Sequence, residues 1–395
     1  MDSVLVVGLG YVGYPLAKAF ATAGIPTIGV DIDPERLRVL LAQESRFKVT
    51  AEMARVGSGA MTFVVTVPTP LKAGKPDLSA VFAATQQVAA ILQAGDMVVY
   101  ESTVAPGTTE GPVRQALETA SGLSAGTDFA LVYSPERISP AQREDLLRTP
   151  KVVGGLTRMC TQRGIDLYEA AGIPTISASS CSAAEAAKCI ENAQRLLTIG
   201  LANETAPALA RLGVNPFEVF DLASSKPYGF TRTRPGIGIG GHCIAVDSTY
   251  LQARFEEVDC PSSLLEAGLA QAALKPVMVA NEIGASGFRS VALLGAAYKP
   301  NCDDVREAPS SEIAACLVES GRRVCVFDPL VLGVSMFAST DVLDAFDLVV
   351  MLVGHDAWDW EALWNYSRRR PGRVWDYTGR LSPDTFRFGD APGCI

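Results

Sequence analysis

The stretch VLVVGLGYVG, residues 4–13, decides the fold of the first part of this chain. It begins with four apolar residues of the kind that form a buried parallel strand, and three glycines follow at the spacing GxGxxG. Residues 15–23 then have the composition of a helix, and residues 27–30 form a second apolar run. This order of strand, glycine turn, helix and strand predicts a βαβ unit.

Each glycine of this turn has a physical role in binding a dinucleotide. Gly8 allows the tight turn, Gly10 lets a pyrophosphate approach the backbone, and Gly13 lets the helix pack against the strand. Asp31 stands at the end of the second apolar run, where it would accept both ribose hydroxyls and repel a 2′-phosphate. The pattern therefore predicts NAD rather than NADP. Arg36 is either a further cofactor contact or a solvated helix arginine.

Further apolar runs continue this α/β pattern and end in polar loops. They predict strands at residues 63–67, 97–100, 130–133, 152–155 and 173–177. Because ligands of open α/β sheets bind beyond the carboxyl ends of the strands, we expect Thr69, Thr103 and Glu136 to lie in the cleft.

Two long helical segments follow. Residues 182–212 are rich in alanine, leucine and glutamate, and residues 264–283 have a similar character. Lys188 and Asn192 are four residues apart and therefore share one face of the first helix. They either polarise a substrate oxygen or form an ordinary solvated pair. Long apolar helices in a bilobal protein often form a dimer interface, so we expect a homodimer through this central helix.

The last part of the chain returns to an α/β pattern without a second GxGxxG. Its apolar runs predict strands at 291–294, 324–327, 348–352 and 373–375, with a helix at 309–320. Lys299, Asp304 and Arg306 occupy the loop after the first of these strands, where they either hold a phosphate-bearing ligand or are solvated. The fold class is therefore α/β, with two Rossmann-like domains that have parallel sheets and are joined by a long central helix. The expected domain bounds are 1–180, 181–287 and 288–395.

The segment PGIGIGGHCIAVD, residues 235–247, presents Cys243 behind four glycines and four residues before Asp247. Glycines let a backbone approach a ligand closely, and a cysteine on such a loop with an acid nearby suggests a covalent nucleophile. The alternative is a buried structural cysteine. Arg232 and Arg234, just ahead of the loop, are either substrate contacts or surface charges.

The composition of the 395 residues limits the classes of function. The net charge of −9 argues against nucleic-acid or anionic-membrane partners. Nine cysteines at irregular spacing fit reduced thiols, and no basic, apolar leader precedes the first strand, so we expect a cytoplasmic protein. With two histidines a histidine-rich metal site is excluded, and we expect no metal.

Seven motifs in order along the chain carry a family resemblance. They are GLGYVG (8–13), VPTP (67–70), ESTVAPGTTE (101–110), SPER (134–137), EAAKCIENAQR (185–195), GGHCIAVD (240–247) and GAAYKPNCDDVREAP (295–309). Over nearly its whole length the chain resembles the UDP-glucose/GDP-mannose dehydrogenase family. The resemblance implies an N-terminal NAD-binding domain, a central dimerising helix and a C-terminal domain that binds a nucleotide sugar.

This family oxidises the C6 alcohol of a nucleotide sugar to a carboxylate, a four-electron reaction that uses two NAD. The resemblance assigns Cys243 as the nucleophile that forms a thiohemiacetal and then a thioester, which water hydrolyses. Lys188 and Asn192 would stabilise the oxyanion. Asp247 would assist proton transfer, and Glu136 would orient the hydrolytic water.

The residue patterns and the resemblance together predict two sets of binding residues. The cofactor set is Gly8, Gly10, Tyr11, Val12, Gly13, Asp31, Arg36, Thr69, Thr103 and Arg306. The substrate set is Glu136, Arg137, Lys188, Asn192, Arg234, Gly238, Gly240 and Lys299. Thr103 is expected near the hydrolytic water as well as near the nicotinamide.

Subfamily motifs favour one substrate branch. SPER, IENAQR and GGHC look like the branch that acts on UDP-N-acetylhexosamines, and a UDP- or dTDP-glucose 6-dehydrogenase is the alternative. The β-hydroxyacid dehydrogenases share the helical Lys-x-x-x-Asn but need no cysteine and have no second Rossmann-like domain. A degenerate nucleotide-binding protein without turnover is disfavoured because all the predicted catalytic residues are present.

Overall fold

A computed structural model of the chain describes residues 3–44, 46–55, 59–137, 148–336 and 339–381. The chain divides into two compact units. The first comprises Met1–Glu191 with Thr249–Pro261, and the second comprises Asn192–Ser248 with Ser262–Ile395. The predicted three-domain division, with bounds at 180 and 287, stays a prediction.

The first unit alternates strands and helices. Its strands are β1 (Ser3–Val7), β2 (Thr27–Val30), β3 (Lys48–Thr50), β4 (Met61–Val65), β5 (Leu71–Lys72), β6 (Lys75–Pro76), β7 (Met97–Tyr100), β8 (Ala130–Tyr133), β9 (Lys151–Gly155) and β10 (Thr175–Ser177). Its helices are α1 (Gly13–Thr22), α2 (Pro34–Gln43), α3 (Ser79–Ala89), α4 (Arg114–Ser121) and α5 (Arg158–Ala170), with a π-helical segment at Thr109–Val113.

Eight of these strands form one sheet in the order β10-β9-β8-β7-β4-β1-β2-β3, and β5 and β6 form a separate hairpin. The strand order reverses between β1 and β4, and a ligand crevice is expected beyond their carboxyl ends. Both strands are buried along their lengths because their residues are almost all apolar. The sheet thus brings the glycine turn after β1 next to the loop after β4.

Two details of this sheet differ from the sequence predictions. The run at 152–155 was predicted to start another unit, and β9 does so, because it pairs in parallel with β10, which follows α5. The expected parallel order is interrupted at β8, with which β9 pairs in the antiparallel direction. Antiparallel neighbours need no crossover connection, and apolar periodicity does not report strand direction. The short strand β3 was not predicted, because only Val49 of its three residues is buried.

The second unit contains a smaller sheet, and its order is β12-β11-β13-β14 with all neighbours parallel. The strands are β11 (Ser290–Leu294), β12 (Arg323–Phe327), β13 (Leu348–Met351) and β14 (Val374–Asp376). The remaining helices are α6 (Cys181–Arg211), α7 (Pro216–Ser224), α8 (Ile244–Glu257), α9 (Ser263–Ala285), α10 (Pro309–Glu319) and α11 (Trp360–Arg369), with a 3-10 helix at Thr340–Ala345. Helices α6 and α8 contribute residues to both units. The predicted α/β fold with two Rossmann-like sheets is confirmed, and every pair of neighbouring strands in these two sheets except β8–β9 is parallel.

Packing around the second sheet places the loop that follows β11. Val291 and Leu293 of β11 are fully buried in a core shared with α9 and α10. The strand order reverses between β11 and β13, so the loop after β11 lies at a second ligand crevice. Among the described residues, no helix combines the length and apolar character needed to span a membrane.

Candidate active site

The glycine turn after β1 is shaped by backbone contacts. Gly8 has a φ of +91°, and a Cβ on Gly13 would lie 1.9 Å from the Gly8 carbonyl oxygen. The Thr66 hydroxyl donates to that same oxygen at 2.7 Å and ties the turn to the loop after β4. By contrast, a Cβ on Gly10 would meet nothing within 4 Å. Gly8 and Gly13 are therefore required for packing, while the open backbone at Gly10 fits the approach of a pyrophosphate.

Asp31 and Arg36 both hold the backbone of this turn. An Asp31 carboxylate oxygen accepts the Leu9 N–H at 2.7 Å, and Arg36 Nε donates to the Leu9 carbonyl at 2.9 Å. The Arg36 guanidinium also lies 5.4 Å from the centroid of the Tyr14 ring. Asp31 thus combines the position expected for ribose recognition with a structural role, and Arg36 lies against the turn.

The other predicted cofactor residues of this unit differ in exposure. Tyr11 is 45% exposed and Val12 is half-buried at the start of α1. Thr69 is buried in the loop after β4, and Thr103 is half-buried in the loop after β7. All four lie in loops beyond the carboxyl ends of strands, which is the edge where cofactors of such sheets bind.

Glu136 and Arg137 follow β8 at the same edge of the sheet. A Glu136 oxygen accepts the Arg137 N–H at 2.7 Å, and its other oxygen lies 3.4 Å from Lys151 Nζ. Arg137 pairs with Glu191 at 2.6 Å and donates to the Pro150 carbonyl. Lys151 was missed at the sequence level. The sequence feature that could have indicated it is a lysine at the first position of the strand KVVGG, whose other residues are uncharged.

Asp247 and Asn192 of the second unit form a buried pair. Asp247 is 2% exposed, and its carboxylate accepts a short hydrogen bond from Asn192 Nδ2. Cys243 is exposed and directly precedes α8, and its carbonyl accepts the Asp247 N–H at 2.9 Å. Lys188 is half-buried on α6, one helical turn before Asn192. The structure thus brings two of the predicted catalytic side chains into direct contact.

The glycines before Cys243 pack closely against the segment that follows β11. A Cβ on Gly240 would lie 2.6 Å from the Pro309 ring and 2.8 Å from Tyr298 Cβ. At Gly241, with a φ of +80°, a Cβ would lie 2.9 Å from the Tyr298 ring. At Gly238 the nearest atoms, at 3.2 and 3.3 Å, belong to Pro276 and Pro309. The predicted substrate contacts of Gly238 and Gly240 stay predictions, and the observed role of Gly240 and Gly241 is close packing.

The charged residues predicted to hold the substrate or cofactor in this unit have protein partners. Arg306 Nη2 lies 2.7 Å from an Asp304 carboxylate oxygen. Burial opposes ionisation of Asp304, but the hydrogen bonds and charge of Arg306 outweigh it and lower the pKa of Asp304. Lys299 is half-buried in the same loop. Arg234 Nε donates to Asp221 at 2.9 Å in an exposed ion pair.

Comparisons with known proteins identify three matched regions along the chain. Residues 39–172 match the NAD binding domain of the UDP-glucose/GDP-mannose dehydrogenase family, residues 182–271 match its central domain, and residues 292–376 match its UDP binding domain. The UDP-N-acetyl-D-glucosamine 6-dehydrogenase of Pseudomonas aeruginosa is 36% identical over 89% of this chain and 90% of its own length. The UDP-N-acetyl-D-mannosamine dehydrogenase of Pyrococcus horikoshii is 30% identical over 93% of both chains.

A solved structure has the same fold over almost the whole chain. The structure of UDP-D-ManNAc dehydrogenase from Pyrococcus horikoshii superimposes with a TM-score of 0.86 at 27% identity, and it covers 96% of each chain. A likeness of that extent includes both sheets and the helices between them.

Proposed function

Because the chain belongs to the UDP-glucose/GDP-mannose dehydrogenase family, we propose that it oxidises the C6 alcohol of a UDP-N-acetylhexosamine to the carboxylate. Dependence on NAD and action on a nucleotide sugar accord with the matched NAD and UDP binding domains. The choice of an N-acetylhexosamine rests on the names of the two relatives above and on the subfamily motifs. When bound, NAD accepts one hydride in each of the two oxidation steps.

The observation that carries the mechanism is the position of Cys243. Its side chain is exposed, it directly precedes α8, and Asp247 follows one turn later. The positive end of a helix favours negative charge, and the thiolate is the reactive form of cysteine. Cys243 Sγ attacks the C6 aldehyde to give a thiohemiacetal, and loss of hydride from C6 gives a thioester. Water then cleaves the C–S bond, which releases the acid and restores the thiol.

Polar side chains assist the changes of charge that occur during these reaction steps. Asn192 and Lys188 donate hydrogen bonds to the oxyanion, and preorganised donors of this kind are often the largest single catalytic contribution. Asp247, held by Asn192, relays a proton through water. Glu136 orients the hydrolytic water, with Thr103 nearby.

Binding is assigned to residues at the two crevices. Gly8, Gly10 and Gly13 with Tyr11, Val12, Asp31, Arg36, Thr69 and Thr103 hold NAD, and Arg306 reaches it from another subunit. Arg137, Arg234, Lys299, Gly238 and Gly240 hold the nucleotide sugar.

The test is the stoichiometry of NADH formation with UDP-GlcNAc, UDP-ManNAc, UDP-glucose and dTDP-glucose. Two NADH per sugar are expected with an N-acetylhexosamine, and one NADH per sugar would refute the thioester route. Cys243→Ser should abolish acid formation, since an alkoxide leaving group cannot replace the thiolate here. Cys260→Ser is the matched control, because Cys260 is also exposed but lies outside the proposed site. Faster turnover of UDP-glucose would shift the proposal to the alternative substrate.

We also propose a homodimer through the central helices, in the cytoplasm. Exposed apolar side chains lie along α6 and α9, and they include Ile190, Leu201, Leu264, Leu274 and Met278. Exposed apolar surface of this kind favours burial against a second copy. The exposed thiol of Cys243 must stay reduced to react, which suits a reducing compartment. Light scattering coupled to gel filtration is expected to give twice the mass of 41.8 kDa.

A further inference from the structure

A lysine is buried at the edge of the first sheet, outside the set of residues predicted to act in the reaction. Lys151 opens β9 and is 2% exposed. Its Nζ lies 2.8 Å from a carboxylate oxygen of Glu101, which is 3% exposed and directly follows β7. The Tyr168 hydroxyl donates a short hydrogen bond to the other oxygen of Glu101. The Lys151 ammonium also lies 5.1 Å from the centroid of the Tyr168 ring.

The same ammonium reaches the loop that follows β8. Lys151 Nζ lies 3.4 Å from the Pro135 carbonyl oxygen and 3.4 Å from Glu136 Oε2. An ammonium group has three N–H donors, and three acceptors surround this one. Two of those acceptors belong to consecutive residues, so Lys151 contacts both the side chain of Glu136 and the peptide before it.

The second oxygen of Glu136 is also oriented. Glu136 Oε1 accepts the Arg137 N–H at 2.7 Å, while the Arg137 side chain pairs with Glu191. Both oxygens of the Glu136 carboxylate therefore have a donor, one from the backbone and one from Lys151. A carboxylate held at both oxygens has a defined direction, which is what a group that orients water requires.

The charges of the cluster depend on one another. Burial opposes the charged form of Lys151, but attraction to Glu101 and Glu136 outweighs it and raises the pKa of Lys151. For Glu101, burial raises the pKa, the charge of Lys151 acts in the opposite direction, and the charge of Glu136 raises it further. The titratable groups that face Lys151 are thus Glu101, Glu136 and Tyr168, and a single cation serves two carboxylates.

We propose that Lys151 is a positioning residue that holds the Glu136 carboxylate ionised and directed for the hydrolytic step. This inference rests on the proposed function, because the water-orienting role of Glu136 is part of it. Three strand ends, those of β7, β8 and β9, bring the groups together.

The test compares two variants that differ only at Lys151. Removing Lys151 alone would leave the buried Glu101 carboxylate without its cation, and an uncompensated buried charge strongly destabilises a protein. The test variant is therefore Lys151→Met combined with Glu101→Gln, and its matched control is Glu101→Gln alone. Both variants are compared with Lys151→Arg, which keeps the positive charge.

The main readout is the pH dependence of kcat for NADH formation with UDP-GlcNAc and NAD. In the double variant the acid limb of the profile should move up by about one pH unit, because a cation within about 4 Å of a carboxylate shifts its titration by that order. The KM for UDP-GlcNAc should change by less than about twofold, because losing a group that acts only in the transition state of the hydrolytic step lowers kcat and kcat/KM together and leaves KM in place. Lys151→Arg should keep the limb of the wild type, and Glu101→Gln should leave it in place or move it down, because removal of the Glu101 carboxylate leaves the cation to Glu136 alone.

If the acid limb of the kcat profile stays in place in the double variant while its melting temperature falls, Lys151 has only a structural role, and the inference is overturned. If the wild type forms no NADH, or one NADH per sugar, the proposed function fails instead. The interaction free energy between Lys151 and Glu136 is then measured without substrate. It is the part of the pH dependence of the free energy of urea unfolding that Glu136→Gln removes. A coupling that disappears with Lys151→Met/Glu101→Gln supports the inference, and an unchanged coupling overturns it.

Discussion

Replacing Gly240 by alanine tests whether the glycines before Cys243 are needed for packing or for ligand approach. The new methyl group would lie 2.6 Å from Pro309 Cδ and 2.8 Å from the Glu307 carbonyl oxygen. The first distance is about 0.8 Å shorter than the 3.4 Å at which ordinary contact begins. Because a proline ring and a backbone carbonyl cannot move far by rotation of a side chain, the loop that carries Cys243 must move.

Overpacking of this kind costs about 2 kcal/mol, which lowers the melting temperature of a domain of this size by roughly 4–8 °C. Movement of the cysteine by about 1 Å should lower kcat by about 100-fold. The measurements are differential scanning calorimetry and steady-state NADH formation with UDP-GlcNAc.

Gly236 supplies a matched control from the same loop. A Cβ on Gly236 would meet nothing within 4 Å, and its φ lies outside the left-handed region. Gly236→Ala should therefore be neutral or raise stability by about 0.4–1 kcal/mol through the unfolded chain. A Gly240→Ala protein with the wild-type melting temperature and a raised KM would refute the packing argument and favour direct contact with the substrate.

Three further predictions concern charged groups. Asn192→Ala removes the donor to the buried Asp247 carboxylate and should cost about 1–3 kcal/mol of unfolding free energy, measured by urea unfolding; an unchanged midpoint would contradict it. Burial raises the pKa of Glu185 to about 7, above its unfolded value of 4.5. The contribution of Glu185 to the free energy of unfolding is therefore complete below pH 4.5, and it is lost as the pH rises through 7. Glu185→Gln should flatten that decline, which amounts to about 3 kcal/mol in all, and an equally steep decline in the variant would show that another group is responsible. Asp31→Ala should raise the KM for NAD by about tenfold and reduce the preference for NAD over NADP. If the kinetics of the variant with both cofactors match those of the wild type, Asp31 does not contact the ribose.

Several features of the fold were predictable because their causes are local. The bounds of β2, β7 and β8 agree with the apolar runs at 27–30, 97–100 and 130–133, since a buried strand needs a short uninterrupted apolar segment. The glycine turn was predictable for a similar reason. The backbone conformation at Gly8 and the close contact at Gly13 demand glycine whatever the rest of the chain does.

Other features depend on residues that are distant in the chain. Asn192 and Asp247 are 55 residues apart, and no periodicity in either helix indicates that they meet. Lys151 and Glu101 are 50 residues apart and come together only because β7, β8 and β9 are neighbours in the sheet. The antiparallel direction of β9 was likewise outside the reach of apolar patterning, which reports burial and not direction.

The amino-acid sequence determined the α/β class, the dinucleotide turn and the family, because apolar periodicity, glycine spacing and ordered motifs are all properties of neighbouring residues. Only the tertiary structure decided which charges meet and what the glycines before Cys243 contact. Gly240 and Gly241 were expected to approach a sugar, and the folded chain places Tyr298 against both of them. The reason is geometric: strand order and helix packing select one set of long-range neighbours, and short-range patterns carry no information about which set that is.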